Sequence, residues 1–489
     1  MIELNNSYKT KDFQREISDY PVKVLQFGEG NFLRGFVDWM IHRTNQSGFF
    51  HGKVRVIQPI EQGMVDVLNK QDGLYTLISR GIDNGEIVSF SEIVSSIEKG
   101  INPYSDYRDY IKSADLPELR FIISNTTEAG ISYRRGETIN DAPQISYPGK
   151  LTALLYRRFT TFNGAADKGL VMIPCELIDR NGDNLKRIVF QIAEEWELGE
   201  DFTYWMTNHC DFLNTLVDRI VTGYPGEEIE SLKKELQYTD NLINTAEVFY
   251  LWVIEGDSKF ADEFPLKQAG CNVIWTDDMT PYRTRKVRIL NGIHTMTCLP
   301  AYLYGIKTVG DCLKEENISR FISKGVYDEI IPTVDFDKNE LITFAQNVME
   351  RFANPYIEHQ LISITLNSVS KFKARVLPTI LEYIEINNQA PQFLSFALAS
   401  LLHFYSGKNE KGEIHPVSDD SEVVEKFSSL WTDLENSEIN SQDLVEKILS
   451  DSSFWGQNLC RIEVLREKVL EHFTSIKKQG IRKALEDIL

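Results

Sequence analysis

The sequence predicts an α/β protein whose N-terminal part is built on a parallel sheet and whose C-terminal part is mainly α-helical. Three observations lead there. A short apolar strand, VKVLQF (22–27), runs into Gly28-Glu29-Gly30 and then into a helical pattern. Further short apolar runs ending in polar residues alternate with helical stretches up to about residue 277. Beyond that point helical periodicity dominates. At 489 residues the chain exceeds one ordinary core, so two domains are expected: a Rossmann-like dinucleotide-binding domain over 1–277 and a helical substrate and catalytic domain over 278–489.

In the first domain, a strand, a glycine turn and a helix from Asn31 to about Thr44 bring backbone N–H groups and a positive helix end to one point, which suits a pyrophosphate. The third glycine of GxGxxG is displaced: Leu33 stands where it should fall, and Gly35 follows. KVRVIQ (53–58) reads as the second strand. It ends in Gln58-Pro59, with Glu61 further on, which leaves the choice between NAD and NADP open. LYTLISRGI and EIVSFSEIV, joined through Asp83-Asn84-Gly85, form a hairpin. RFIIS (120–124) ends in Asn125-Thr126, and LVMIP (170–174) ends in Cys175-Glu176. Polar residues at such carboxyl ends are where an open α/β sheet binds its ligand. Asn181-Gly182 reads as a turn and Asn184 to Leu198 as a helix. Asp218 and Arg219 lie in an apolar frame, either as a buried ion pair or as part of a site. Phe249 to Glu255 and Asn272 to Thr276 read as two more strands.

The helical domain opens with TPYRTRKVRILNGIHTMTCLP (280–300). Thr280 is placed as N-cap and Pro281 as the first helical residue. On a wheel of about 100° per residue, Lys286, Leu290, His294, Val287 and Asn291 fall within about 140° of one another. Arg283 falls on the same face. A lysine among Val287, Leu290 and Ile293 is expected to titrate below its usual range, towards that of a general base. Gly292 inside the run suggests a close approach to the backbone. Further helices are expected over 341–353, 358–376, 391–405, 421–434, 441–449 and 462–477, with a loop at 407–420.

Composition narrows the function. Hydrophobic content of 42% and a net charge of −20 describe a globular protein without the basic stripe that nucleic acid or an anionic membrane requires. The N-terminal stretch has no apolar signal core and no run reaches membrane length, so a cytoplasmic location is expected. The six cysteines are scattered, with no CxxC, and read as reduced. His209 beside Cys210 reads as a chance pair rather than half a metal site.

FGEGNFLRGF (27–36) resembles the GxGxFxRxF fingerprint of the long-chain polyol and mannitol dehydrogenase family, and KVRILNGIH (286–294) resembles its catalytic signature. The resemblance extends through SNTTEAG (124–130), VDRIVTG (217–223) and SKFKARVLP (370–378). It implies metal-independent hydride transfer with NAD between a secondary alcohol and a ketose or keto-acid. It further implies Lys286 as general acid/base, Asn291 as a donor to the reacting oxygen and His294 as a substrate-orienting group. Phe27, Gly28, Gly30, Asn31, Phe32, Arg34, Asn125 and Thr126 are the cofactor candidates. Asp218, Glu176 and Lys371 are the substrate candidates, Lys371 matching a family arginine.

One departure shifts the substrate class. Leu177 stands where mannitol dehydrogenases carry an asparagine that helps hold the oxyanion, which disfavours a plain polyol. Arg283 offers a guanidinium for a carboxylate, and Lys371, Lys373 and Arg375 form a second basic group. An anionic sugar acid is therefore the expected small-molecule substrate. The alternatives are a neutral polyol such as mannitol and, less favoured, a nucleotide-binding sensor without turnover.

Overall fold

The computed structural model describes residues 2–8, 20–127, 129–409 and 411–489. Most of the N-terminal stretch, Glu128 after the RFIIS strand and Glu410 in the expected loop lie outside the described residues. The chain divides into two compact units, Met1–Asp83 with Ile87–Met279, and Asn84–Glu86 with Thr280–Leu489.

In the first unit, β1 (Val22–Phe27), β2 (Lys53–Ile57), β3 (Ile97–Ile101), β4 (Phe121–Ser124), β5 (Val171–Pro174) and β6 (Asp211–Phe212) form one sheet. Their order is β3-β2-β1-β4-β5-β6, and every pairing is parallel. Both faces are covered, which is why the strands read as unbroken apolar runs. Val24, Phe121, Ile123, Val171 and Ile173 join the core on one face, and Leu25, Phe27, Ile122 and Met172 join the core on the other. Each such side chain contributes about 1.5–3 kcal/mol on burial. Helices Tyr147–Thr161 and Asn181–Glu195 close the second face through Leu151, Leu154, Leu155, Leu185 and Ile188. The order reverses between β1 and β4, where such sheets bind ligands.

Three readings of this unit change. The helix expected from Asn31 breaks after Arg34 and resumes at Val37–Gln46, because Gly35 is pressed against Val221 and Asn244. The helix expected from Asn184 already begins at Asn181, after Arg180 takes a left-handed φ of 48°. Strands Leu251–Glu255 and Val273–Thr276 do not extend the parallel sheet; they join Asn214–Asp218 in a separate three-stranded one.

The second unit is helical. Helices Gly292–Tyr304 and Gln392–Phe404 are buried nearly all round and form its centre. Buried Glu329 caps the second of these, accepting from the N–H groups of Phe393 and Leu394, each at 2.8 Å. Lys338–Phe352, Ser421–Glu435 and Ser441–Leu449 form where periodicity placed them. The helix expected over 358–376 is two, Leu361–Ile364 and Ser368–Arg375, interrupted where Asn367 adopts φ 53°. The last helix, Glu463–Glu486, runs past Lys477 and is kinked at Gly480, φ 83°. All six cysteines are free. Among the described residues no helix is long and apolar enough to cross a membrane.

Candidate active site

The glycine turn of the first unit is set by backbone geometry. Gly28 has φ 119°, and a Cβ there would lie 2.9 Å from the Asn125 carbonyl oxygen, so the turn after β1 accepts only glycine. Gly30 and Asn31 are exposed, and no heavy atom lies within 4 Å of where a Gly30 Cβ would stand. That leaves room for a ligand backbone. Buried Gln26 donates to the Gly28 carbonyl and to Asp38, both at 3.0 Å; burial pushes the Asp38 carboxyl up to about 7.

Several candidates are tied into the surrounding structure. Phe27 is fully buried against Tyr110 and Tyr147. Arg34, also buried, donates to the Glu29 carbonyl at 3.1 Å, the Leu242 carbonyl at 2.7 Å and Asn31 Oδ1 at 2.6 Å. Phe32 is half-buried and stacks on Phe36. Asn125 donates to the Cys175 carbonyl at 2.8 Å. Glu176 is buried and accepts from Ser124 Oγ, Thr126 N–H and Thr126 Oγ1 at 2.9–3.0 Å, so it fixes the end of β4. Leu177 is 65% exposed. Asp218 is buried at the end of strand Asn214–Asp218. Its neighbour Arg219 donates to the carbonyls of Gly35 at 2.5 Å and Glu247 at 2.9–3.0 Å and to Ser79 Oγ at 2.8 Å. This arginine is a bracket for the broken helix.

In the second unit the segment expected as one helix has three parts: Thr280–Lys286 is α-helical, Val287–Asn291 is π-helical and Gly292–Tyr304 is α-helical again. A π turn bonds i to i+5 and advances each residue by less than 100°, so a single wheel does not carry across it. Lys286 is the last residue before the wide turn, Asn291 ends it, and His294 lies in the first turn after it. Lys286, Val287, Asn291 and His294 are half-buried, while Leu290 and Ile293 are buried. Arg283 is exposed. A Cβ on Gly292 would meet only the Arg375 and Val287 carbonyl oxygens, at 3.5 and 3.6 Å, which is ordinary contact.

Around His294 the second unit gathers positive charge. Its ring lies 4.2 Å from the Phe352 ring and 5.3 Å from that of His359, centroid to centroid. Burial, then the charges of His359, Arg351, Arg375 and Lys371, push His294 down to about 3, so the imidazole is neutral near pH 7. Lys371 donates to the Ile364 carbonyl at 3.0 Å. Lys373, by contrast, is exposed and runs beside Gly456, so the basic trio is split. The side chains of Asn291, His294, His359 and Arg375 have no hydrogen bond or ion pair among the described residues. These half-buried side chains leave donors and acceptors open to a ligand or to water.

Arg351, Phe352 and His359 were not foreseen. Arg351 had a weak signal, an arginine in helical register with buried Phe344 and Val348; His359 follows the helix with none. Among the described residues no group of three or more His, Cys, Asp or Glu is arranged to hold a metal ion.

A model of the mannitol dehydrogenase Rossmann domain matches residues 22–268, and one of the mannitol dehydrogenase C-terminal domain matches residues 278–477. Over 472 residues the chain is 46% identical to altronate oxidoreductase of Escherichia coli O7:K1 (strain IAI39 / ExPEC), a span covering 96% of this chain and 98% of that one. The same figures hold for altronate oxidoreductase of Shigella flexneri. Among solved structures, substrate-free D-sorbitol dehydrogenase aligns with a TM-score of 0.77 at 20% identity, covering 96% of both chains. Pseudomonas fluorescens mannitol 2-dehydrogenase, in ternary complex with NAD and D-mannitol, aligns at 0.65 and 18% identity, covering 96% of this chain and 94% of that one. At those identities the structural likeness concerns the fold alone.

Proposed function

We propose that this chain, which belongs to the mannitol dehydrogenase family, interconverts D-tagaturonate and D-altronate by hydride transfer with NAD, as a step of hexuronate (galacturonate) breakdown. It is a nicotinamide-dependent oxidoreductase of the polyol and sugar-acid class. The observation that carries the substrate is the 46% identity, over nearly the whole length, to altronate oxidoreductases. The positive charge gathered at His294 supports an anionic substrate in a protein of net charge −20.

The glycine turn fits a dinucleotide: Gly28, Gly30 and Asn31 would hold its pyrophosphate, with Gly30 exposed and unobstructed. The 58–64 segment after β2, QPIEQGM, has no Lys or Arg to pair with a 2′-phosphate, which favours NAD over NADP. When bound, the nicotinamide supplies or accepts the hydride. The protein's part is proton transfer and orientation, with no metal. In reduction, the Lys286 ammonium gives its proton to the carbonyl oxygen as that oxygen becomes a hydroxyl; in oxidation, the neutral amine takes it back. Asn291 donates to the same oxygen and stabilises the charge that develops there. Neutral His294 orients the substrate hydroxyls without adding charge.

The test is NADH oxidation with D-tagaturonate, D-fructuronate and D-fructose side by side, repeated with NADPH. The expected result is the highest kcat/KM with D-tagaturonate and NADH. Preference for fructuronate would move the assignment to its epimer, and activity confined to fructose would overturn the sugar-acid reading.

A further inference from the structure

We infer that Arg375, with His359 beside it, is the residue pair that binds the substrate carboxylate, and that Arg283 is not. The inference deepens the uronate reading and rests on it. Several buried arginines of this chain are held by carbonyls around them. Arg158 donates to four carbonyls, those of Lys168, Ala114, Leu116 and Leu119, and Arg34 and Arg219 each hold at least two. Arg375 is different: half-buried, it has neither hydrogen bond nor ion pair among the described residues. A guanidinium that has given up part of its hydration without a partner is destabilising unless a ligand supplies one.

Its position fits that role. Arg375 ends helix Ser368–Arg375, and its carbonyl lies 3.5 Å from where a Gly292 Cβ would stand, one residue after Asn291 and two before His294. The helix bearing it therefore packs against the segment that carries the proposed chemistry. The His359 ring, also without a hydrogen bond among the described residues, lies 5.3 Å from the His294 ring and offers a second donor. Lys371 adds charge nearby, with one of its three N–H groups given to the Ile364 carbonyl. Asp419, the carboxylate that bears on Lys371, accepts from Tyr405 Oη and the Val369 N–H. A carboxylate brought by the substrate can take two parallel N–H bonds from Arg375, the geometry a guanidinium fork offers.

The experiment compares wild type, Arg375→Gln, Arg375→Lys and Arg283→Ala in kcat/KM for D-tagaturonate and for D-fructose. In parallel, binding of D-altronate, of the uncharged D-altritol and of NADH is measured by titration calorimetry. Loss of a buried, hydrogen-bonded charge pair predicts a fall of about 30-fold or more in D-tagaturonate kcat/KM for Arg375→Gln, mainly through KM. D-Fructose kcat/KM and NADH affinity should stay within about threefold, Arg375→Lys should recover part of the loss, and Arg283→Ala should spare D-tagaturonate. Equal losses on both sugars would make Arg375 a positioning residue, and a matching loss of NADH affinity would assign it to the cofactor; either overturns the inference. If wild type turns over no uronate, the functional reading fails on its own. The carboxylate site is then judged by whether Arg375→Gln weakens D-altronate binding and leaves D-altritol unchanged, and it is rejected if both bind wild type equally.

Discussion

At the scale of single residues, the three groups of the catalytic signature differ in what holds them. His294 is kept neutral by burial and by its cationic neighbours, so it cannot be the group whose protonation governs rate between pH 5 and 9. That leaves Lys286, for which the expected outcome is specific. Lys286→Ala should lower kcat by at least about 100-fold, the lower range of general acid/base catalysis, with NADH affinity retained by fluorescence titration. In wild type, reduction should slow and oxidation quicken as pH rises through the lysine's titration. Wild-type turnover in the variant would remove the lysine from the mechanism. The triad was proposable from the sequence alone because its spacing is local. The cation set was only partly so: Lys371 and Arg375 stood out in a basic run, whereas Arg351 and His359 come to His294 from other elements, a relation that no spacing encodes. Arg34, Phe27 and Glu176 show the other side of this. They belong to the ligand-binding motifs, yet burial and hydrogen bonding make them its supports.

At the scale of elements, periodicity located helices and strands well and missed their interruptions. Breaks at Gly35, Asn367 and Gly480 depend on what packs against them or on single left-handed residues, which an apolar repeat does not register. The π turn at Val287–Asn291 is the consequential case, since it alters the rotation between Lys286 and His294 while leaving their sequence spacing intact. Another element carries a pH dependence. Glu329, 2% exposed, caps helix Gln392–Phe404 with both oxygens, and burial pushes its carboxyl up to about 7 from an ordinary 4.5. Because its folded pKa is raised, the stability it contributes is complete below about pH 4.5 and is lost as pH rises through about 7. Relative to Glu329→Gln, wild type should therefore lose on the order of 3 kcal/mol between pH 4.5 and 8, read from thermal unfolding of both proteins. A constant difference across that range would show that the helix N-terminus, and not burial, decides the charge state.

At the scale of the whole molecule, the division into two compact units means that one unfolding free energy does not describe the chain. Calorimetry should resolve more than one transition, and NADH at about 100 times its Kd should stabilise the unit carrying the glycine turn by about 2.7 kcal/mol. A single transition would contradict separate unfolding of the two units, and an NADH shift confined to the helical unit would contradict that assignment of the cofactor. The α/β class and the parallel sheet were legible because each strand is short, apolar and punctuated. The sheet that joins Asn244–Ala246 to Tyr75–Asp83 was not, since those partners lie far apart in sequence. That distance has a consequence during synthesis. The turn at Gly28 to Gly35 is translated before its supports: the Leu242 carbonyl that takes Arg34, the Arg219 that takes the Gly35 carbonyl and the Asn244 that takes the Asn31 carbonyl all follow about 200 residues later. A nascent chain stalled before residue 219 has the glycine motif without its clasps, which close only when the far side of the domain emerges.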